Sequence, residues 1–151
     1  MCVGDICRRD VVTIAPDSSL CEAARLMREQ HVGMLVVVEP IASGTGCSVK
    51  GVITDRDIVI TVVGREADPK GLKVVDIMTR NPLIAVESQP ISAVLRLMRT
   101  IGVRRVPVVN NRYVLVGVMA IDDVLEHMSE QLTSISGAIR DEQGRERVMR
   151  P

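Results

Sequence analysis

Thr54 and Asp57 stand three residues apart where a β-branched run gives way to the charged segment Thr54-Asp55-Arg56-Asp57. A helix opening at Thr54 presents unpaired N–H groups and partial positive charge, a setting suited to phosphate. An ionised Asp57, one turn in, offers two acceptor oxygens that match the vicinal hydroxyls of a ribose. The same pair also reads as a local cap, Thr54 at N-cap and Asp57 at N3, contributing about 1 kcal/mol with no ligand at all. Both readings stand at this point. Asp123 occupies the matching place later in the chain, but Ala120 stands where Thr54 does, so a hydroxyl is missing there. Arg104 and Arg105 lead into a second β-branched run where Gly33 and Met34 lead into the first. A guanidinium binds phosphate oxygens bidentately, whereas glycine leaves room and methionine gives only apolar contact. Neighbouring strand residues face opposite sides, so one of the two arginines is expected in a given cleft and the other in solvent, unless the strand is bulged.

Catalysis is a weaker reading of the same inventory. Asp55 with Asp57, and Asp122 with Asp123, are paired acids, but carboxylates at a helix start are ordinarily partners of the helix dipole. No Ser/His/Asp set accompanies them. His31 closes an amphipathic stretch and His127 sits on the last helical one, where structural or surface roles are expected. Cys2, Cys7, Cys21 and Cys47 form no C-x-x-C pair and have only two histidines to assist, which argues against a zinc site. Reduced thiols are expected, with Cys21 acting as a small hydrophobe on an apolar helix face. The chain therefore reads as a non-enzyme with no required cofactor and no bound metal.

Those residues must be held by a chain of 151 residues with 19 basic and 19 acidic side chains. Zero formal charge argues against the counterion release that drives non-specific nucleic-acid binding. With one Tyr and neither Phe nor Trp, the stacking platforms of single-strand binders are missing as well. The apolar run Ile58 to Val63, interrupted only by Thr61, is far below the roughly 20 residues of a membrane span. Met1 to Ile6 lacks the basic start and apolar stretch of a secretory leader, so a cytoplasmic setting is expected.

The chain also repeats itself. An offset of 71 lays Asp5–Val38 on Asp76–Val109 without a gap, with ten identities in 34 positions. Chance would give roughly two. Beyond a first-copy loop that is five residues longer, the register resumes at an offset of 66, placing Gly51–Ile58 on Gly117–Val124. That loop, Glu39 to Lys50, carries turn residues, and its Ser-Gly-Thr-Gly run lacks the Gly-Lys-Ser/Thr of a phosphate loop.

Each copy reads β-α-β-β-α. Val11–Ile14 is extended, and Ser19 with Glu22 has the S-x-x-E form that opens a helix. Leu20, Ala23, Ala24 and Met27 then share a face, as Ile91, Val94, Leu95 and Met98 do in the second copy. Strands are predicted at Met34–Val38, Val49–Ile53, Arg105–Val109 and Val114–Met119. Closing helices are predicted near Asp55–Val63 and Asp122–Leu132. The division is a first repeat over 1–63, a polar linker over 64–74, a second repeat over 75–132 and a charged tail over 133–151. Low periodicity from Ser134 onward predicts a frayed or partner-dependent tail.

Asp76-Ile77-Met78-Thr79-Arg80-Asn81-Pro82, the helix ending in Leu97-Met98, the strand Val103-Arg104-Arg105-Val106-Pro107-Val108-Val109 and the Gly-x-x-Thr-x-x-Asp segment from Gly51 to Asp57 together resemble the CBS domain, named after cystathionine β-synthase. The resemblance spans both copies, residues 3 to 132, and points to a stand-alone tandem pair. It implies an α+β fold of two β-α-β-β-α repeats packed sheet to sheet with pseudo-twofold symmetry, commonly paired again into a homodimer. It further implies a regulatory module that binds an adenosine-containing small molecule between the copies. Thr54, Asp57 and Asp123, with Arg104 and Arg105, then fall where ribose and phosphate are met. Val12 and Val32 beside Asp123, and Leu83 and Val103 beside Asp57, become apolar walls for the base, with Val118 as a further wall, although each also reads as ordinary core.

The expected ligand is an adenine nucleotide such as AMP, ADP or ATP. S-adenosylmethionine and NAD(H) are alternatives, and so is a ligand-free interaction module that recruits a protein target, a reading Ala120 favours. Because of Ala120 and the arginines, the two sites are not expected to be equivalent. Asp57→Ala is expected to weaken one of them and Arg105→Ala the other.

Overall fold

The computed structural model describes residues 1–42 and 44–149; Ser43 in the first-copy loop, and Arg150 and Pro151 at the end of the tail, lie outside the described residues. The first copy begins with a short helix, α1 (Val3–Ile6), and continues through β1 (Thr13–Ile14), α2 (Leu20–Gln30), β2 (Met34–Pro40), β3 (Cys47–Thr54) and α3 (Asp55–Ile58). A π-helical turn, Val59–Val63, extends α3 and is closed by Gly64 N–H donating to the Val59 carbonyl. The second copy runs α4 (Val74–Ile77), β4 (Thr79–Arg80), β5 (Ala85–Val86), α5 (Ile91–Ile101), β6 (Arg105–Val109), β7 (Leu115–Ala120) and α6 (Ile121–Met149).

Local chemistry sets the helix ends. Ser19 Oγ accepts from Glu22 N–H at 3.1 Å, which starts α2 as the S-x-x-E pattern predicts. Both long helices of the repeats stop in a left-handed residue, His31 (φ 53°) after α2 and Gly102 (φ 79°) after α5. Leu20, Ala23 and Met27 bury the face of α2, and Ile91, Val94 and Met98 that of α5. Ala24 and Cys21, expected on the apolar face, are exposed. At 100° per residue Ala24 falls at the edge of the Leu20/Ala23/Met27 stripe and Cys21 well beyond it.

Two sheets form, ordered β1-β2-β3-β4 and β5-β6-β7, and in each the first strand is parallel to the second and the hairpin that follows is antiparallel. The copies exchange their leading segments. β4, from the second copy, completes the first sheet by pairing Thr79 with Val52 and Arg80 with Gly51. Reciprocally, Arg8 makes two 2.9 Å backbone hydrogen bonds with Val118 of β7. The cores follow the exchange. Val3 and Cys7 are buried with Val94, Met98, Val106 and Met119, whereas Val74 is buried with Leu20, Leu35 and Ile53. Residues 3–8 thus pack in the second unit and 74–80 in the first, so each spatial unit borrows its opening from the other copy.

Glycines make the crossings fit. A Cβ on Gly51 would sit 2.7 Å from the Thr79 carbonyl oxygen, and one on Gly117 would sit 2.8 Å from that of Arg8. The two positions correspond at the 66-residue offset. The tail departs from expectation: instead of ending near Leu132, α6 continues to Met149. Beyond Ser134 the sequence retains spaced Ile135, Ala138 and Ile139, and single glycines such as Gly137 weaken a helix without ending it.

Candidate functional site

Two clefts lie where the starts of β2 and β6 approach each other, and Gly33, Met34 and Arg105 border both. Every residue lining the smaller has its repeat counterpart in the lining of the larger, while Asp55 and Ile101 line the larger without a counterpart in the smaller. The larger, about 490 Å³, is walled by Thr54, Asp57, Leu83, Val103, Arg104 and Arg105, with Arg56, Thr79, Asn81 and Pro82 around them. The smaller, about 240 Å³, is walled by Val12, Val32, Val118, Ala120, Asp123 and Arg105, with Arg8, Asp10, His31 and Asp122 completing it. Every residue selected from the sequence therefore borders a cleft, and the apolar pairs fall beside the aspartates to which they were assigned.

Thr54 and Asp57 form a closed capping box. Thr54 N–H and its hydroxyl both donate to Asp57 Oδ2 at 2.8 Å, and Asp57 N–H donates to Thr54 Oγ1 at 3.1 Å. Asp57 Oδ1 has no hydrogen-bond partner among the described residues. The hydroxyl proton is committed to the helix start, while one oxygen of this cleft-lining carboxylate is unbonded among the described residues. At the second copy, Ala120 N–H still reaches Asp123 Oδ2, at 3.3 Å, without a hydroxyl to tighten the box.

The clefts differ in charge. Arg56, Arg104 and Arg105 face Asp55 and Asp57 in the larger, whereas Arg8 and Arg105 face Asp10, Asp122 and Asp123 in the smaller. Arg104 also pairs with Asp122 at 3.2 Å, an exposed contact of little energy. Two expectations about the arginines need correcting. Arg104 and Arg105 both line the larger cleft, because Arg104 precedes β6 and strand alternation does not apply to it. Arg105, expected at one site, borders both, because β6 starts on the wall between them.

Arg8 does not stand out from the sequence. Its Nε donates to Asp123 Oδ1 at 2.6 Å, so the carboxylate equivalent to Asp57 is already engaged. The one signal in the sequence is the 71-residue alignment, which sets Arg8 over Thr79, a charged residue against a neutral one. Elsewhere, burial raises the Cys7 thiol pKa above its ordinary value of 9.0, against the opposing pull of Arg9.

The paired hairpins, the reciprocal exchange and the twin clefts coincide with a family-model match: the CBS domain model fits residues 3–64 and again 74–130. The chain belongs to the CBS domain family. CBS domain pairs are regulatory ligand-binding modules. The chain is 34% identical over 128 residues to the uncharacterized protein MK0525 of Methanopyrus kandleri, covering 82% of this chain and 61% of that one. It is 33% identical over 144 residues to the CBS domain-containing protein YhcV of Bacillus subtilis, covering 89% and 94%. It also matches the inosine-5'-monophosphate dehydrogenase of Korarchaeum cryptofilum at 34% identity, but over only 26% of that enzyme. This CBS pair thus spans about three fifths of one of these relatives and a quarter of another. Among solved structures, the CBS domain pair of protein MJ0100 in complex with 5'-methylthioadenosine and S-adenosyl-L-methionine superimposes with a TM-score of 0.73 at 26% identity, covering 87% of this chain and 98% of that one. Among the described residues no helix is long and apolar enough to cross a membrane.

Proposed function

We propose that this CBS pair is a regulatory sensor of an adenine nucleotide, AMP, ADP or ATP, and that it does not act as an enzyme. The observation that carries the reading is the larger cleft, which Asp57 lines together with Leu83, Val103 and an excess of arginine over aspartate. Ribose hydroxyls donate to Asp57, Arg104 and Arg105 take the phosphate oxygens, and the base lies between Leu83 and Val103. Thr79 and Asn81, together with backbone groups, are available for hydrogen bonds to the base. The 5'-methylthioadenosine and S-adenosyl-L-methionine in complex with the MJ0100 pair support the choice of adenosine chemistry.

Regulation follows from where the cleft lies. Its lining joins Thr54 and Asp57 of one copy to Leu83, Val103 and the arginines of the other, so a bound ligand has different contacts when the copies repack. That difference in affinity is the only means by which occupancy can shift the packing. A homodimer in the cytoplasm is the proposed working form. Its support is an exposed stripe on α6, Leu125, Met128, Leu132, Ile135 and Ile139, at alternating spacings of three and four. Such a seam is buried by a second helix. Leu132→Glu is expected to yield monomer in light scattering; an unchanged mass removes the stripe from the interface.

Thermal shift with AMP, ADP, ATP, NADH and S-adenosylmethionine tests the sensing role. At 100 times its dissociation constant a one-site ligand adds about 2.7 kcal/mol. The melting point should then rise by roughly 5 to 10 °C. No shift at millimolar concentration would leave a ligand-free module that recruits a protein target.

A further inference from the structure

The two clefts are related by the repeat, yet the aspartates they present are in different states. Asp57 keeps Oδ1 free. Asp123 has both oxygens engaged, Oδ1 by Arg8 Nε at 2.6 Å and Oδ2 by Ala120 N–H at 3.3 Å. Its side chain is only 10% exposed, so this is a short charge-assisted bond to a nearly buried carboxylate.

Arg8 is not there by accident of a wandering side chain. Two 2.9 Å backbone hydrogen bonds tie it to Val118, and the missing side chain at Gly117 allows that approach. Thr79 holds the corresponding place opposite Val52 in the larger cleft, and threonine brings no charge to Asp57. The surroundings reinforce the difference. An anion meets three arginines and two aspartates around Asp57, but two arginines and three aspartates around Asp123, and one of those arginines is Arg8 itself.

We propose that the chain takes one phosphorylated adenosine ligand, in the Asp57 cleft, and that Arg8 is the specificity residue that keeps the same ligand out of the Asp123 cleft by occupying the carboxylate that would receive its ribose. This rests on the nucleotide reading above and adds which site is used and why. The Arg8 side chain is 69% exposed, so the block is a competition rather than a wall, and it acts on affinity. A ligand entering the Asp123 cleft must break the ion pair before its hydroxyls can bond.

Calorimetric titration of the full chain with AMP tests the assignment. Wild type is expected to bind one AMP per chain, with the second cleft at least tenfold weaker. Arg8→Thr places a threonine beside Asp123 as Thr79 stands in the larger cleft; with adenosine, which carries the ribose but no phosphate for the remaining aspartates to repel, it should raise the stoichiometry from one to two, and Arg8→Gln should do the same. Thr79→Arg copies the block in the other direction and should weaken AMP binding at least tenfold. Melting curves confirm that each variant is folded before its titration is scored. Two AMP sites of equal affinity in wild type overturn the proposal, as does an adenosine stoichiometry of one in both folded Arg8 variants, or a loss of AMP binding on removing Arg8. If neither wild type nor any variant binds AMP, ADP or ATP, the nucleotide reading itself fails, a result distinct from two equal sites.

Discussion

Thr54→Ala separates the helix cap from the ligand site. In the structure the Thr54 hydroxyl makes two bonds, accepting from Asp57 N–H at 3.1 Å and donating to Asp57 Oδ2 at 2.8 Å. Replacing an N-cap Thr by Ala costs about 1 kcal/mol. For a chain of this size that lowers the melting point by roughly 2 to 4 °C. The chain carries its own precedent in Ala120, where only the backbone half of the box remains, its bond lengthened from 2.8 to 3.3 Å. Asp57 Oδ1 takes no part in the box, so AMP affinity should fall by no more than about threefold, a loss of roughly 0.6 kcal/mol. Asp57→Ala, in contrast, removes both the cap and the ribose acceptor, and affinity should fall more than about tenfold. Melting curves and calorimetric titration of both variants read the two effects separately. If Thr54→Ala loses as much affinity as Asp57→Ala while keeping its melting point, the hydroxyl serves the ligand and the capping argument is wrong.

Gly117→Ala should destabilise the fold by about 1 to 3 kcal/mol, as overpacking does, because its Cβ would stand 2.8 Å from the Arg8 carbonyl oxygen and 2.9 Å from Cys7 Sγ. Gly137→Ala on α6, where nothing lies within 4 Å, should stabilise the helix instead, and urea melts giving both variants the same sign would refute the crossing-strand account. His31→Gly should raise stability by about 1 kcal/mol, because residue 31 ends α2 in the left-handed region at φ 53°; a lower melting point would mean that the imidazole is needed in the smaller cleft. The buried Cys7 thiol, its pKa raised chiefly by burial, should react with a thiol reagent far more slowly than exposed Cys21, and the two rates should converge in urea. Since the folded state holds the Cys7 proton more tightly than the unfolded state, its contribution to stability is full below pH 9.0 and declines as pH rises toward the folded value, which a pH series of urea melts would detect.

The helix faces and strands are legible from periodicity because side-chain direction follows residue spacing in regular structure. Leu20, Ala23 and Met27 are buried as their spacing requires, and Ser19 caps α2 as its type requires. The tail is not legible in the same way, because composition weighs glycines against a helix, whereas in α6 the spaced apolar residues and the helix already begun at Ile121 outweigh them. The candidate clefts are half legible. The aspartates and their apolar walls can be found by sliding the repeat upon itself. Arg8 cannot be recognised that way, because its place in a cleft depends on a backbone ladder to Val118, 110 positions further along the chain.

The sequence alone determined that this chain is a duplicated β-α-β-β-α unit with aspartates at corresponding helix starts, since duplication and capping are properties of residue order. Only the tertiary structure decided that the copies exchange their first segments, that Gly51 and Gly117 are the points of crossing, and that one aspartate is left open while the other is held. The physical reason is that an ion pair such as Arg8 with Asp123 depends on distance in space. Two residues 115 positions apart meet at 2.6 Å only after both sheets have formed.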